Sequence, residues 1–367
     1  LNMRADLNRR QTLGLLASCL ALPGVSRAQT TYPLADVHSH LGLIQKSIAR
    51  ADFLEQAQEA RLGLMAWCVV PDGPWLRATP SGIEQRAEPG KGQLAFEFNR
   101  KIGDIKSYLQ DKKIPFITTA ADVDEAMSGK PYVVLSSEGA DFLEGQLEDL
   151  SKAHAQGLRH LQLVHYIRSP IGDLQTIAPR FGGLTPLGQS LVAECNKLGI
   201  LIDLAHSDPI SVDQALEISK KPMIWSHGWV SMTQGRFDDR FGVLARRLAL
   251  SNAKKITDKG GIIGLWSLGI SEGGRAQYPE YPIALDPNKR HKTYAEGIAK
   301  MVKELGADHV CFGTDIEGVG SNGVVNYYRE LRLVANLLSD TGLSDSEIQK
   351  VCIGNYARVL KAAMTPI

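Results

Sequence analysis

Two histidines stand one residue apart in "ADVHSH", residues 35–40, where a short apolar run ends. Imidazole nitrogens are ligands for zinc and its divalent neighbours. Alternate residues of a strand point to the same side, so His38 and His40 can face one cavity. Three further histidines lie where other apolar, β-branched runs end: His165 in "HLQLVHY", His206 in "ILIDLAHS" and His227 in "PMIWSHG". Two carboxylates occupy equivalent places, Glu138 in "YVVLSSEG" and Asp315 in "HVCFGTD". Singly, each has an ordinary explanation: an acid at a strand end caps the next helix, and a lone histidine is hydrogen-bonded in the core. Together they form a set of imidazoles and carboxylates fit to hold a divalent transition metal. Of the other histidines, His160 and His309 open strands at the opposite, structural end, His154 falls on a helix and His291 in a loop.

These side chains converge only if the strands that carry them lie side by side. Eight short apolar runs read as strands: 35–40, 64–70, 132–139, 160–166, 200–207, 222–228, 261–267 and 309–315. Longer amphipathic stretches separate them, such as "ADFLEQAQEARLG", "LTPLGQSLVAECNKLG" and "TYAEGIAKMVKELG". The second opens Thr-Pro and closes in glycine, the punctuation of a helix. Eight alternating units predict an α/β fold of the (β/α)8 TIM-barrel type, whose chemistry gathers at the C-terminal ends of the strands. The alternative, a doubly wound open sheet, usually carries a glycine-rich phosphate turn after its first strand, and "HSHLGL" is not one. The connections 71–130, with one helix near 94–110, and 268–291 are long and follow strands, so they should wall the catalytic face. Two extra helices follow the last strand, in "VVNYYRELRLVANLLS" and "SDSEIQKVCIGNYARVLKAAM".

The chain of 367 residues has 41 basic against 40 acidic residues, a net charge of +1, so it lacks the basic excess of a nucleic-acid binder. Residues 1–30 read as an export signal: Arg9 and Arg10, an apolar run from Leu13 to Leu22, then Ser-Arg-Ala before Gln29. The paired arginines are Tat-like, which predicts a periplasmic protein trimmed after Ala28. A lipid anchor at Cys19, in "LASC", is the second choice, and the run is too short to span a bilayer. Residues 31–367 then form a single barrel domain that carries the metal-ligand set. Cys68, Cys195, Cys311 and Cys352 sit in apolar segments without metal spacing and read as core. Trp67, Trp225 and Trp266 read as packing inside strands, whereas Trp75 and Trp229 can line the pocket.

The stretches "SSEGAD", "RHLQLVHY", "GLTPLGQSLVAECNKLGILIDLAHS", "PMIWSHG" and "HVCFGTDIEGV" resemble the renal (membrane) dipeptidase family of the amidohydrolase superfamily. The resemblance runs over residues 34–361 and implies two divalent metal ions, Zn2+ first among them. It implies His38, His40, Glu138 and Asp315 around one ion, and Glu138, His206 and His227 around the other. It further implies that a metal-bridging hydroxide attacks the amide of a dipeptide, including one with a C-terminal D-residue, while Asp315 moves the proton and His165 stabilises the oxyanion. An arginine after strand six is implied to clamp the substrate carboxylate. "ARRLALSNA" favours Arg247, with Arg240 and then Arg236 as alternatives.

Where the family reads His-x-Asp on strand one, this chain reads His-x-His, so two protein carboxylates offset the ions instead of three. A more positive site lowers the pKa of bound water and polarises a carbonyl more strongly. The departure keeps two other functions open: hydrolysis of another amide, N-acyl amino acid or lactone, and a non-catalytic metal-binding periplasmic maturation factor. The expected partner is a small dipeptide-like substrate, with no nucleic acid; whether the chain forms a homodimer stays open.

Overall fold

A computed structural model of the chain describes residues 31–45, 47–79, 82–231, 243–269 and 283–366. Eight strands form one sheet: β1 (Leu34–Ser39), β2 (Leu62–Val69), β3 (Tyr132–Ser137), β4 (Leu158–Gln162), β5 (Leu201–Asp203), β6 (Ile224–Trp225), β7 (Ile262–Trp266) and β8 (Val310–Gly313). They run in chain order and every pairing is parallel. All their residues are buried, which is why they read as continuous apolar runs. The two ends of the sheet meet: Asp315 N–H donates to the His38 carbonyl at 2.9 Å, and His40 N–H to that of Ile316 at 3.0 Å. Those bonds bring the first and last strands together in a barrel, with helices between the strands.

Each predicted strand is present, but β5 and β6 are shorter than their apolar runs. The chain leaves the ladder early, and His206 three residues beyond β5 takes a left-handed φ of 69°. The helix Pro186–Leu198 is capped by the Thr185 side chain and ended by Gly199 in the left-handed region, as Thr-Pro and the terminal glycine predict. Within 71–130 the structure adds an antiparallel hairpin, Leu76–Thr79 with Gly82–Gln85, and a helix Ala120–Ala126 with a Thr119/Asp122 capping box. A further short parallel pair joins Trp229–Ser231 to Arg247–Ala249. His291, expected in a loop, lies in the first turn of the helix Arg290–Leu305. The second C-terminal helix is interrupted by a five-residue π-helical turn, Lys350–Gly354. The predicted export signal, residues 1–30, lies outside the described residues, as does most of the connection 268–291. Among the described residues no helix is long and apolar enough to cross a membrane, and Cys68, Cys195, Cys311 and Cys352 are buried free thiols.

Candidate metal centre

The five strand-end histidines and both carboxylates meet at one rim. His38, His40, His206 and His227 are at most 1% exposed, and Glu138, His165 and Asp315 at most 5%. Barrel closure sets Asp315 beside the β1 histidines. The register of β1 against β2 shifts between Asp36 and Ser39, a bulge of the kind that re-aims side chains beside active sites. Asp315 and His206 both occupy the left-handed region, at φ 55° and 69°, strained backbone of the sort that collects at functional sites.

Glu138 is the centre of the set. Its Oε1 lies 3.0 Å from His206 Nε2 and 3.5 Å from the Nε2 atoms of both His227 and His38. Its Oε2 lies 3.2 Å from His40 Nε2, which is also 3.1 Å from Asp315 Oδ1. His38 and His40 face each other through Nε2 at 3.1 Å, as do His206 and His227 at 3.3 Å. Two groups result, His38–His40–Glu138 and Glu138–His206–His227, each with donor atoms within 4.8 Å of one another.

The protons show what such a cluster accepts. His40 Nδ1 is 2.7 Å from the Cys68 carbonyl; a carbonyl only accepts, so Nδ1 carries the hydrogen and the Nε2 lone pair points at two carboxylates. That arrangement is repulsive unless a cation stands between, either a proton or a metal. Burial alone would lower the His40 pKa, yet Asp315 and Glu138 raise it to about 10, so metal uptake must release a proton. Burial opposes ionisation of Glu138, but the surrounding histidines, His165 first, hold it well below its ordinary value. Burial, then Arg246, keeps His206 neutral; burial, then His38 and Arg246, does so for His227. Anionic Glu138 and neutral imidazoles are the forms that ligate divalent ions, so the residues present fit the two-metal expectation.

Four residues at the rim escaped the sequence reading. Asp72, from the loop after β2, holds His165 Nδ1 at 2.8 Å and leaves His165 Nε2 3.3 Å from Glu138 Oε2. Burial would lower the His165 pKa, but Asp72 and Glu138 raise it, favouring the charged donor. Trp266, expected as packing, donates Nε1–H to Asp315 Oδ2 at 2.8 Å. Tyr166 sets its ring edge-on to His165 and His206, at 4.5 and 4.8 Å between centroids. The arginine that enters the cluster is Arg246, not its neighbour Arg247. Arg246 is 1% exposed, donates to His206 Nε2 and, at 3.2 Å, to His227 Nε2, and lies over the Trp266 ring. Arg247 is half-buried in the short strand beside Trp229, its carbonyl bonded by Gln175. Arg236 and Arg240 lie outside the described residues. The one cue available was the doubled arginine itself, since spacing cannot say which of two adjacent side chains turns inward.

Asp141, behind His165, yields a stability prediction. Burial first, and the Asp72 charge second, push its pKa from 3.8 up to about 7. The folded state therefore binds a proton that the unfolded state releases near pH 4. The stability this contributes is whole below about pH 4 and lost as pH rises to about 7. Asp141→Asn is expected to stabilise the chain at about pH 8 more than at about pH 5, by about 1–3 kcal/mol. Urea unfolding at both pH values, in chelator so that metal occupancy does not enter, measures the difference. An equal effect at both would refute the assignment.

Residues 93–365 match the family described as Membrane dipeptidase (Peptidase family M19). The chain is 23% identical over 361 residues to dipeptidase aclJ of Aspergillus oryzae, covering 90% of this chain and 78% of that protein. It is 27% identical over 257 residues to mouse dipeptidase 3, covering 68% of this chain and about half, 48%, of the relative. Among solved structures, a Rhodobacter sphaeroides metallopeptidase liganded with a phosphinate mimic of L-Ala-D-Ala superposes with a TM-score of 0.68 at 20% identity, covering 90% of this chain and 99% of that one. An amidohydrolase from Pseudomonas aeruginosa gives 0.68 at 18% identity, covering 92% and 98%.

Proposed function

The chain belongs to the membrane dipeptidase family, and from that premise we propose that it is a metal-dependent dipeptidase hydrolysing small substrates with a free C-terminal carboxylate. The observation that carries this reading is Glu138, whose two oxygens reach imidazoles of both ligand groups. His38, His40, Glu138 and Asp315 would hold one divalent ion, and Glu138, His206 and His227 the other. When bound, the ions supply Lewis-acid polarisation of the scissile carbonyl and a water acidified enough to attack near neutral pH. Asp315, oriented by Trp266, accepts the water's proton and delivers it to the leaving amine. His165, kept protonated by Asp72, donates to the developing oxyanion. Arg246 cannot share the His206 and His227 lone pairs with an ion, so its fork is released to a substrate carboxylate. The buried rim excludes water from these steps.

The family membership supports a dipeptide substrate, and the phosphinate bound by the Rhodobacter neighbour supports including a C-terminal D-residue. His40, where the family carries aspartate, is the specific ground for a second reading in which another amide, an N-acyl amino acid or a lactone is cleaved. The expected result is about two zinc ions per mature chain and dipeptide turnover that a chelator abolishes and zinc restores. A panel of L,L- and L,D-dipeptides beside N-acyl amino acids and lactones separates the readings. Zinc-loaded protein inert on the whole panel would leave a non-catalytic metal binder. The Tat-like leader supports export to the periplasm, which a full-length fusion and cell fractionation would test.

A further inference from the structure

Ser226 follows β6 and immediately precedes His227, and its hydroxyl stands between one histidine of each ligand group. Ser226 Oγ is 2.9 Å from His227 Nδ1 and 3.3 Å from His38 Nδ1. All three residues are at most 1% exposed, so water cannot substitute for any of these bonds. The third neighbour is Asp203, at the end of β5. Its Oδ1 accepts the Ser226 N–H and the Ala205 N–H, both at 3.0 Å, while its buried Oδ2 accepts no hydrogen bond from the described residues. His160 Nε2 lies 3.5 Å from its other oxygen.

Ligation of a metal by both rings calls for one arrangement of the protons. A carboxylate that takes two backbone N–H donors is anionic and can only accept. With both Nε2 atoms ligating, the Ser226 oxygen would accept from both imidazoles on its lone pairs and turn its own proton toward Asp203, whose buried Oδ2 has no donor among the described residues. In that arrangement His38 and His227 each place a hydrogen on Nδ1, which leaves the lone pair on Nε2, the atom each ring turns toward Glu138. The neighbouring strands leave room for this backbone: Gly264 of β7 and Gly313 of β8 have no side chain, and a Cβ at either would collide with the Ser226 carbonyl. The two rings pack against one another, 4.0 Å between centroids, as two donors to one oxygen require.

We propose that Ser226, backed by Asp203, sets the metal-binding tautomer of one ligand in each group at once, so that the affinities of both metal sites depend on this single hydroxyl. The proposal rests on the metal-dependent reading above. Partners of this kind hold ring orientation and tautomer, and losing one typically costs about 10–100-fold in metal affinity. In Ser226→Ala both N–H groups lose their buried acceptor whenever the rings ligate. Without metal, each ring is free to take its other tautomer, so the apo fold keeps its stability.

The test is zinc titration of chelator-stripped Ser226→Ala against the unsubstituted chain, by calorimetry with a competing chelator, beside melting temperatures with and without zinc. The expected result is about 10–100-fold weaker binding in both steps, an unchanged apo melting temperature and a smaller rise on adding zinc. Ser226→Cys, which keeps the volume with a weaker acceptor, should fall between. Wild-type affinity in Ser226→Ala, a loss confined to one step, or a lower apo melting temperature with an undiminished zinc increment would each overturn the proposal. An unsubstituted chain that takes up no zinc would overturn the metal reading instead, so the two failures are separable.

Discussion

Glu138→Gln is expected to empty both metal sites and to lower kcat/KM on dipeptides by at least about 1,000-fold, the scale of removing one partner from a buried charged cluster. Among the described residues the glutamate is the one acid within reach of all four Nε2 atoms of the two groups. Glutamine keeps the shape but loses the charge, and it turns an N–H donor toward imidazole lone pairs or an ion. Both groups need the carboxylate, so neither should load alone. Metal content and single-turnover rates after zinc addition read the effect. Apo unfolding checks the fold, which is expected to survive because a neutral amide is easier to bury than an ion. A Glu138→Gln chain carrying the full metal complement would sink the shared-ligand assignment.

Arg246→Met is expected to cost roughly 30–1,000-fold in kcat/KM on dipeptides with a free carboxylate, the counterpart of about 2–4 kcal/mol for a buried charge-assisted contact. The guanidinium is buried between the His206–His227 edge and the Trp266 face and bonded to Gln175. Methionine fills similar volume without charge. The informative comparison is the same dipeptide as its C-terminal amide, which offers no anion and should lose little. Arg246→Lys should recover only part of the rate, because an ammonium lacks the planar fork. Metal affinity should hold or rise, since the substitution removes a cation that competes for the His206 and His227 lone pairs. Arg247→Met is the control and is expected to leave the ratio of free acid to amide unchanged. Equal losses on both substrates would remove Arg246 from carboxylate recognition.

Much of the scaffold was legible because its signals are local. Strands buried on both faces must be continuously apolar, and a helix beginning Thr-Pro and ending in glycine advertises its own limits. The hairpin of 76–85 was missed because its strands are short, half-buried and polar, so no period marks them. Trp266 does pack inside its strand, against Trp229, as read; its bond to Asp315 went unseen because only the ring edge makes it. Asp72 lies in a loop with no pattern around it, and nothing local ties it to a histidine 93 positions onward.

By itself the sequence determined which chemistry was available: histidines and acids at the ends of apolar runs, in an order that only a parallel sheet brings to one edge. It also determined the family, through stretches too long and specific to be accidental. The tertiary structure decided which of those groups touch. Closure of β8 onto β1 puts Asp315 beside His40, a left-handed residue turns His206 into the cluster, and a short turn aims Arg246 rather than Arg247 inward. These choices depend on contacts between residues far apart in the chain and on backbone angles that no residue type dictates. Residue identity sets what a side chain can do; the closing of the barrel sets what it meets.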